Sequence, residues 1–121
     1  MYKLTIAQET GYLHAIVTGT NSEDTVRGYM AEIVRECVSR NCLRVLIEEH
    51  LEGPRLGTLA VFQLVSQGSE RLRGKLRAIA YVDANAADNL MQFASDIAVN
   101  RGVPLAVFAS VSEAKAWLSK G

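Results

Sequence analysis

The sequence has no excess of charge of either sign, because 13 Lys and Arg side chains balance 13 Asp and Glu side chains. Such a chain has no net field that attracts nucleic acid or an anionic membrane, and no long basic run creates one locally. Apolar runs are also short, well below the roughly 18 residues of a membrane-spanning helix. We therefore predict neither a nucleic-acid partner nor an integral membrane segment.

Cysteine is scarce, and Cys37 and Cys42 are the two examples. Cys37 falls at an apolar position of a predicted helix, and Cys42 follows that helix closely. This placement favours free thiols in a reducing compartment over a disulfide. The amino terminus begins as an alternating strand pattern rather than as a signal peptide. These features predict a cytoplasmic protein.

Catalytic motifs are missing as well. The chain contains no Gly-x-Ser-x-Gly elbow, no Gly-rich phosphate loop, no Cys-x-x-Cys pair and no His-Glu-x-x-His spacing. The isolated His14 is interpreted as a surface histidine of a strand rather than as a proton-transfer group. We predict a protein that is not an enzyme and that holds no metal and no cofactor.

What the sequence does contain is the pattern of one α/β domain over residues 1–121. Hydrophobic residues make up 49% of the chain, enough for one core at this length. Strands are predicted at 2–9, 12–18, 43–49, 76–82 and 104–109. Helices are predicted after 20–23, at 58–71, from 83–85 to 101, and after Ser110 or Ser112. The order β-β-α-β-α-β-α-β-α indicates a mainly parallel five-stranded sheet with one antiparallel edge strand and with helices mostly on one face.

Local signals define the first helix best. Asn21 and Ser22 are equal candidates for its N-cap, and Thr20 with Glu23 has capping-box spacing. Its end is expected near Arg40-Asn41. The apolar stripe recurs at intervals of three and four, at Val26, Tyr29, Met30, Ile33, Val34, Cys37 and Val38.

The two faces of the predicted sheet differ in composition. One face is expected to be wholly apolar, with Leu13, Ala15, Val17, Leu43, Val45, Ile47, Leu76, Ala78, Ala80, Val82, Leu105, Val107 and Ala109. The opposite face has an apolar centre inside a charged rim, with His14, Ile16, Arg44, Leu46, Glu48, Arg77, Ile79, Tyr81, Ala106 and Phe108. This mixed face is a candidate interface, and Trp117 of the last helix is a candidate cover for part of it.

The order of elements, with a loop and a helix after the third strand, resembles the STAS domain of the anti-sigma-factor antagonists. The carboxy-terminal runs 98–102, 107–108 and 113–118 look most like the SpoIIAA-like branch. The resemblance covers essentially the whole chain. It implies a bacterial regulatory protein whose loop and helix at 53–67 contact a protein partner.

The regulated members of that family carry an Asp-Ser-Ser-Gly-Leu-Gly loop that is phosphorylated. Here Leu56-Gly57 matches its end, but Pro54 stands at the acceptor position, and proline cannot be phosphorylated. Thr58 is then the candidate phosphoacceptor, at a helix amino terminus that favours anions. The alternative interpretation of Thr58 is a plain N-cap.

Polar residues also follow the strands at the edge where α/β ligands usually bind. Glu49, His50 and Asp83 are the candidate ligand or acid/base cluster there, although Asp83 is equally a helix cap and His50 a solvated loop residue.

The second helix is the most informative segment, because its apolar residues exceed one buried stripe. Either it is buried between its neighbours, or one flank faces a partner. We predict a non-catalytic regulatory or interaction module, with a homodimer as one form, and with contacts through Arg55, Leu56, Thr58, Leu59 and Phe62. The alternative is a protein that binds an apolar or lipid-like small molecule in a pocket beside this helix.

Overall fold

A computed structural model describes residues 2–54, 56–72, 74–83 and 89–120 of the chain. These residues form five strands and four helices in the predicted order. The strands are β1 (Tyr2–Glu9), β2 (Tyr12–Thr20), β3 (Arg44–Glu52), β4 (Ala78–Val82) and β5 (Leu105–Phe108). The helices are α1 (Glu23–Ser39), α2 (Thr58–Leu72), α3 (Asn89–Asn100) and α4 (Val111–Lys120).

The strands lie in the sheet in the order β1-β2-β3-β4-β5, which is also their order in the chain. β1 pairs with β2 antiparallel, and the three following pairs are parallel. The fold class predicted from the sequence is therefore confirmed. The carboxyl ends of β2 to β5 meet at one edge, where Glu49 of β3 is followed across the sheet by Asp83 after β4.

Local chemistry explains where α1 begins and ends. Ser22 is the N-cap, and its hydroxyl oxygen accepts the backbone N–H of Thr25 at 3.1 Å. Of the two candidates, Ser22 rather than Asn21 therefore caps the helix. At the other end Asn41 has a φ of 51°, the left-handed conformation that commonly follows a helix and that asparagine tolerates. The predicted end at Arg40-Asn41 is confirmed.

The main hydrophobic core lies between the sheet and α1, with further contributions from α2 and α3. Leu13, Val45 and Ile47 of the sheet and Ile33 of α1 are fully buried in it. The free thiol of Cys37 lies in the same core, and burial raises its pKa to about 11. Cys37 is thus an apolar core residue, as the sequence predicts.

A second, smaller core lies on the opposite face, where α4 covers β3, β4 and β5. Ala114 and Leu118 of α4 are buried there against Leu46 and Ala80. Trp117 packs on Phe108 with ring centroids 5.7 Å apart. The last helix therefore covers part of the mixed face, in the place that Trp117 suggested.

The predicted face assignment of β4 was wrong. Ile79 and Tyr81 lie over the helices of the main core, whereas Ala78, Ala80 and Val82 face α4. The register pairs Val45 with Ile79 and Ile47 with Tyr81, and partners in a sheet share a face. Both the odd-numbered and the even-numbered residues of this strand are apolar, so the sequence pattern does not reveal which set faces the larger core.

Candidate ligand-binding cavity

A cavity of about 410 Å³ lies between α2 and the sheet. It exists because α2 packs mainly against α3 and α1 instead of resting on the strands. Its walls are largely apolar, and they include Met30 of α1, Ile79 of β4, Ala98 of α3 and Leu105 of β5. Its volume falls within the range of roughly 300–1,000 Å³ typical of small-molecule sites.

The inner side of α2 forms one wall of this cavity. Six of the seven helix residues that line it lie on one face, at Val61, Leu64, Val65, Gly68, Ser69 and Leu72. Gly68 leaves space on this wall, since a Cβ built there meets nothing within 4 Å. Glycine in a helix interior is unfavourable by about 1 kcal/mol relative to alanine. Because Gly68 has no side chain, it leaves space in the cavity, and the helix is about 1 kcal/mol less stable than with alanine at this position.

One end of the cavity is polar, and three side chains meet there. The hydroxyls of Tyr29 and Tyr81 both donate to Oε2 of Glu49, and the two hydroxyl oxygens lie 2.6 Å apart. Tyr29 comes from α1, whereas Glu49 and Tyr81 come from neighbouring strands and lie on the same face of the sheet. All three line the cavity.

Asp83 extends this polar end. The parallel register places it next to Glu49 on the neighbouring strand, and its backbone N–H donates to the carbonyl of Phe108 at 3.1 Å. Asp83 also lines the cavity. Two carboxyl groups thus lie side by side on the helix-covered face, where the dielectric constant is lower than at the surface and charges interact more strongly.

Burial dominates the titration of this cluster. It raises the pKa of Glu49 above 4.5, against the hydrogen bonds from Tyr29 and Tyr81, and both the charge of Asp83 and a hydrogen bond with its side chain add to the increase. Burial also raises the pKa of both tyrosines well above 10. The two phenols therefore remain protonated donors near neutral pH, while Glu49 and Asp83 supply acceptor oxygens.

The candidate cluster Glu49, His50 and Asp83 is only partly brought together. Glu49 and Asp83 share the cavity, but His50 lies on the other face, because successive strand residues point to opposite sides. There His50 Nε2 is 2.5 Å from Glu48 Oε2, and His14 Nε2 is 2.9 Å from Glu48 Oε1. His50 keeps a side chain 55% exposed. The contacts with His50 and then His14 lower the pKa of Glu48 despite some burial.

The candidate partner-binding residues at 53–67 divide between two environments. Leu56 lines the cavity, whereas Leu59 is 70% exposed and Phe62 is 41% exposed on the outer side of α2. The helix is therefore not buried on all sides, because one flank lines the cavity and the opposite flank is exposed to solvent. Arg55 lies outside the described residues.

Thr58 is the first residue of α2 rather than its N-cap. The backbone N–H of Val61 donates to the carbonyl of Gly57 at 3.0 Å, and this first bond of the helix makes Gly57 the N-cap. The predicted N-cap was therefore wrong by one residue. The cap expected for α3 within 83–85 falls largely on residues 84–88, which lie outside the described residues.

Sequence reasoning missed the two tyrosines of the polar cluster. The pattern predicts Tyr29 as part of the apolar stripe of α1, and the predicted face of Tyr81, like that of the rest of β4, was wrong. A signal for both exists, since a tyrosine hydroxyl that is buried almost always finds a polar partner. Glu49 continues the inward phase of Val45 and Ile47, so it was the available partner.

The fold and the cavity together define an α/β domain with a ligand-sized, largely apolar cavity under one helix. Models of known protein families do not match the chain, and a search of curated proteins finds no relative. Across the parts of the chain that the structure describes, no helix has the length and apolarity needed to span a membrane. Within the same residues, no group of three His, Cys, Asp or Glu side chains is arranged to hold a metal ion.

Proposed function

We propose that this protein binds an apolar small molecule in the cavity beneath α2. The observation that carries the proposal is the cavity itself, at about 410 Å³ and with largely apolar walls. A concave space of this volume with mainly apolar walls and a few buried polar groups is the usual form of a small-molecule site.

The construction of the wall supports the same function. Gly68 leaves room where almost any side chain would project inward from α2. Three polar side chains of the wall, those of Tyr29, Glu49 and Tyr81, meet in one hydrogen-bonded cluster, and such a cluster orients a ligand whose remaining surface is apolar. A binding protein of this kind needs no catalytic group, in keeping with the expectation that the chain is not an enzyme.

Titration with the neutral fluorescent dye N-phenylnaphthylamine tests this function. We expect saturable binding of one dye per chain, with fluorescence that rises as the dye leaves water. Gly68→Leu fills the cavity from its wall and lowers the affinity by about tenfold or more, equivalent to 1.4 kcal/mol or more. Leu59→Ser changes only the exposed flank of the same helix and leaves the affinity unchanged. Equal binding by both variants would contradict the proposal.

A second function, contact with a protein partner, is supported by the outer flank of α2. Leu59 and Phe62 present apolar surface to solvent, and Arg101, which directly follows α3, lies over the Phe62 ring, with its guanidinium carbon 6.0 Å from the centroid. Apolar and aromatic side chains beside an arginine are typical of interface centres. In this proposal the segment 53–67 carries the contact, as the resemblance to STAS domains implies, and Thr58 stays the candidate phosphoacceptor.

Sedimentation of Phe62→Asp distinguishes the interaction module. The chain itself is the partner that can be tested at once, so the wild-type protein is expected to form dimers that the variant does not form. The far-ultraviolet circular dichroism of the variant is expected to match that of the wild type, because the Phe62 side chain is partly exposed and its replacement does not disrupt the core. A wild-type chain that stays monomeric at high concentration argues against self-association through this flank.

A further inference from the structure

The polar end of the cavity restricts which ligands fit. It contains two carboxyl groups, Glu49 and Asp83, and two tyrosine hydroxyls that both donate to the same oxygen of Glu49. The phenol protons are therefore engaged within the protein. What the cluster offers to a ligand is mainly acceptor oxygens and negative charge.

A ligand group that also brings only acceptors does not suit this end. A carboxylate or a phosphate would face the charge of Asp83 and a Glu49 carboxyl that is already hydrogen-bonded to Asp83, and like charges within a few ångströms disfavour each other. A group that donates hydrogen bonds and carries positive charge replaces the proton of the hydrogen bond between Glu49 and Asp83, so that Glu49 ionises against it. Charge-assisted hydrogen bonds of this kind contribute roughly twice as much as neutral ones.

Positive side chains also border the cavity, and their positions matter. Arg27, Arg35 and Lys75 contribute to its lining, but all three are exposed. Arg27 is already paired with Glu23 at 3.2 Å, and Lys75 precedes the start of β4, at the opposite end of that strand from Asp83. Exposed charges are screened by water and salt, whereas the carboxyl of Glu49 is shielded by burial.

We infer that the ligand is an amphiphilic amine, with its apolar body in the cavity and its protonated amino group at Glu49 and Asp83. This inference rests on the proposed function, and it narrows the ligand from any apolar molecule to a cationic one. The ammonium group donates to the carboxylate oxygens. The apolar body contacts the walls formed by Val65, Ile79 and Leu105.

Isothermal titration with decylamine, decanol and decanoate tests the inference, because the three probes share one apolar chain and differ in the head group. We expect decylamine to bind about tenfold or more tightly than decanol, and decanoate to bind most weakly. The difference corresponds to a hydrogen bond with a charged partner, at roughly 1.5–3 kcal/mol. A proton released from Glu49 on binding of decylamine, visible as a dependence of the heat on the buffer, is a second expected signature.

Glu49→Gln keeps the shape of the side chain and an acceptor for the tyrosines but removes its charge. In this variant the preference for decylamine over decanol is expected to fall to within about threefold. Glu48→Gln, one residue away and on the other face of the sheet, is the matched control, and it keeps the full preference. Asp83→Asn provides the same comparison if Glu49→Gln does not fold.

The outcomes separate the two proposals. Decanol or decanoate binding as tightly as decylamine overturns the amine inference and leaves the apolar ligand function in place. A preference for decylamine that survives in both Glu49→Gln and Asp83→Asn also overturns it. No binding by any of the three probes overturns the inference and the proposed function together.

Discussion

Gly68→Ala adds one methyl group to the cavity wall, and the structure predicts that it stabilises the protein. Gly68 lies inside α2, and a Cβ at this position meets no atom within 4 Å. Alanine is better than glycine in a helix interior by about 0.8–1.0 kcal/mol. Partial burial of the new methyl group adds up to about 0.8 kcal/mol. The expected gain in the free energy of unfolding is about 1–2 kcal/mol.

Gly28→Ala is the matched control, because Gly28 is also a glycine inside a helix. A Cβ there lies 2.9 Å from Cε2 of Tyr2, closer than real contacts allow. The ring of Tyr2 is held by a hydrogen bond from its hydroxyl to Glu32 Oε1 at 2.7 Å, so it resists displacement. The steric cost therefore offsets the same gain in helix propensity, and we expect little or no stabilisation at this position.

Urea denaturation followed by circular dichroism measures both variants. The free energy of unfolding of Gly68→Ala is expected to be higher than that of the wild type. That of Gly28→Ala is expected to be lower than that of Gly68→Ala by about 1 kcal/mol or more. In a thermal scan, the gain of Gly68→Ala corresponds to a midpoint about 4 °C higher per kcal/mol. A destabilised Gly68→Ala would mean that atoms fill the space beside α2, and the argument for a cavity would fail.

Three further predictions concern the polar end of the cavity and the start of α1. Since the folded pKa of Glu49 is raised above 4.5, its contribution to stability is present below that value and is lost as the pH rises through the folded pKa. Urea titrations at several pH values should therefore show the free energy of unfolding of Glu49→Gln increasing relative to the wild type as the pH rises. The pKa of Glu48 is lowered instead, so the free energy of unfolding of Glu48→Gln should decrease relative to the wild type as the pH rises from the folded pKa of Glu48 towards 4.5. Tyr29→Phe removes a buried donor to Glu49 and is expected to lower the free energy of unfolding by about 1–3 kcal/mol in urea; no loss would mean that this hydrogen bond contributes nothing. Ser22→Ala removes the acceptor for Thr25 N–H and is expected to cost about 1 kcal/mol in the same assay, whereas Ser22→Asp should keep most of the stability.

Much of the fold was predictable from local patterns. The hairpin follows from two alternating segments around Thr10-Gly11, and Gly11 does adopt a positive φ, of 86°. The strand order follows from short right-handed connections between successive parallel strands. The stripe of α1 is confirmed by the burial of Tyr29, Ile33 and Cys37, but Val38, which was predicted to belong to it, is 56% exposed.

The cavity and its polar end were less predictable, for two physical reasons. β4 is apolar in both phases, so only its register with β3 reveals that Tyr81 and Asp83 share a face with Glu49. The distance of α2 from the sheet depends on how it packs against α1 and α3, which no pattern within the helix records. The apolar excess of α2 was visible in the sequence, but its division into a cavity wall and an exposed flank was not.

The most direct test of the central claim is a titration with decanol followed by the methyl signals of the protein in NMR spectra. Decanol is neutral, so the result does not depend on the charge of the ligand. The account predicts that the signals that shift belong to the cavity walls, at Val65, Ile79, Val103 and Leu105, and that those of the second core, at Leu46, Val82 and Leu118, stay in place. Shifts confined to the exposed Leu59, or no shifts at saturating decanol, would contradict the claim that this protein binds an apolar molecule beneath α2.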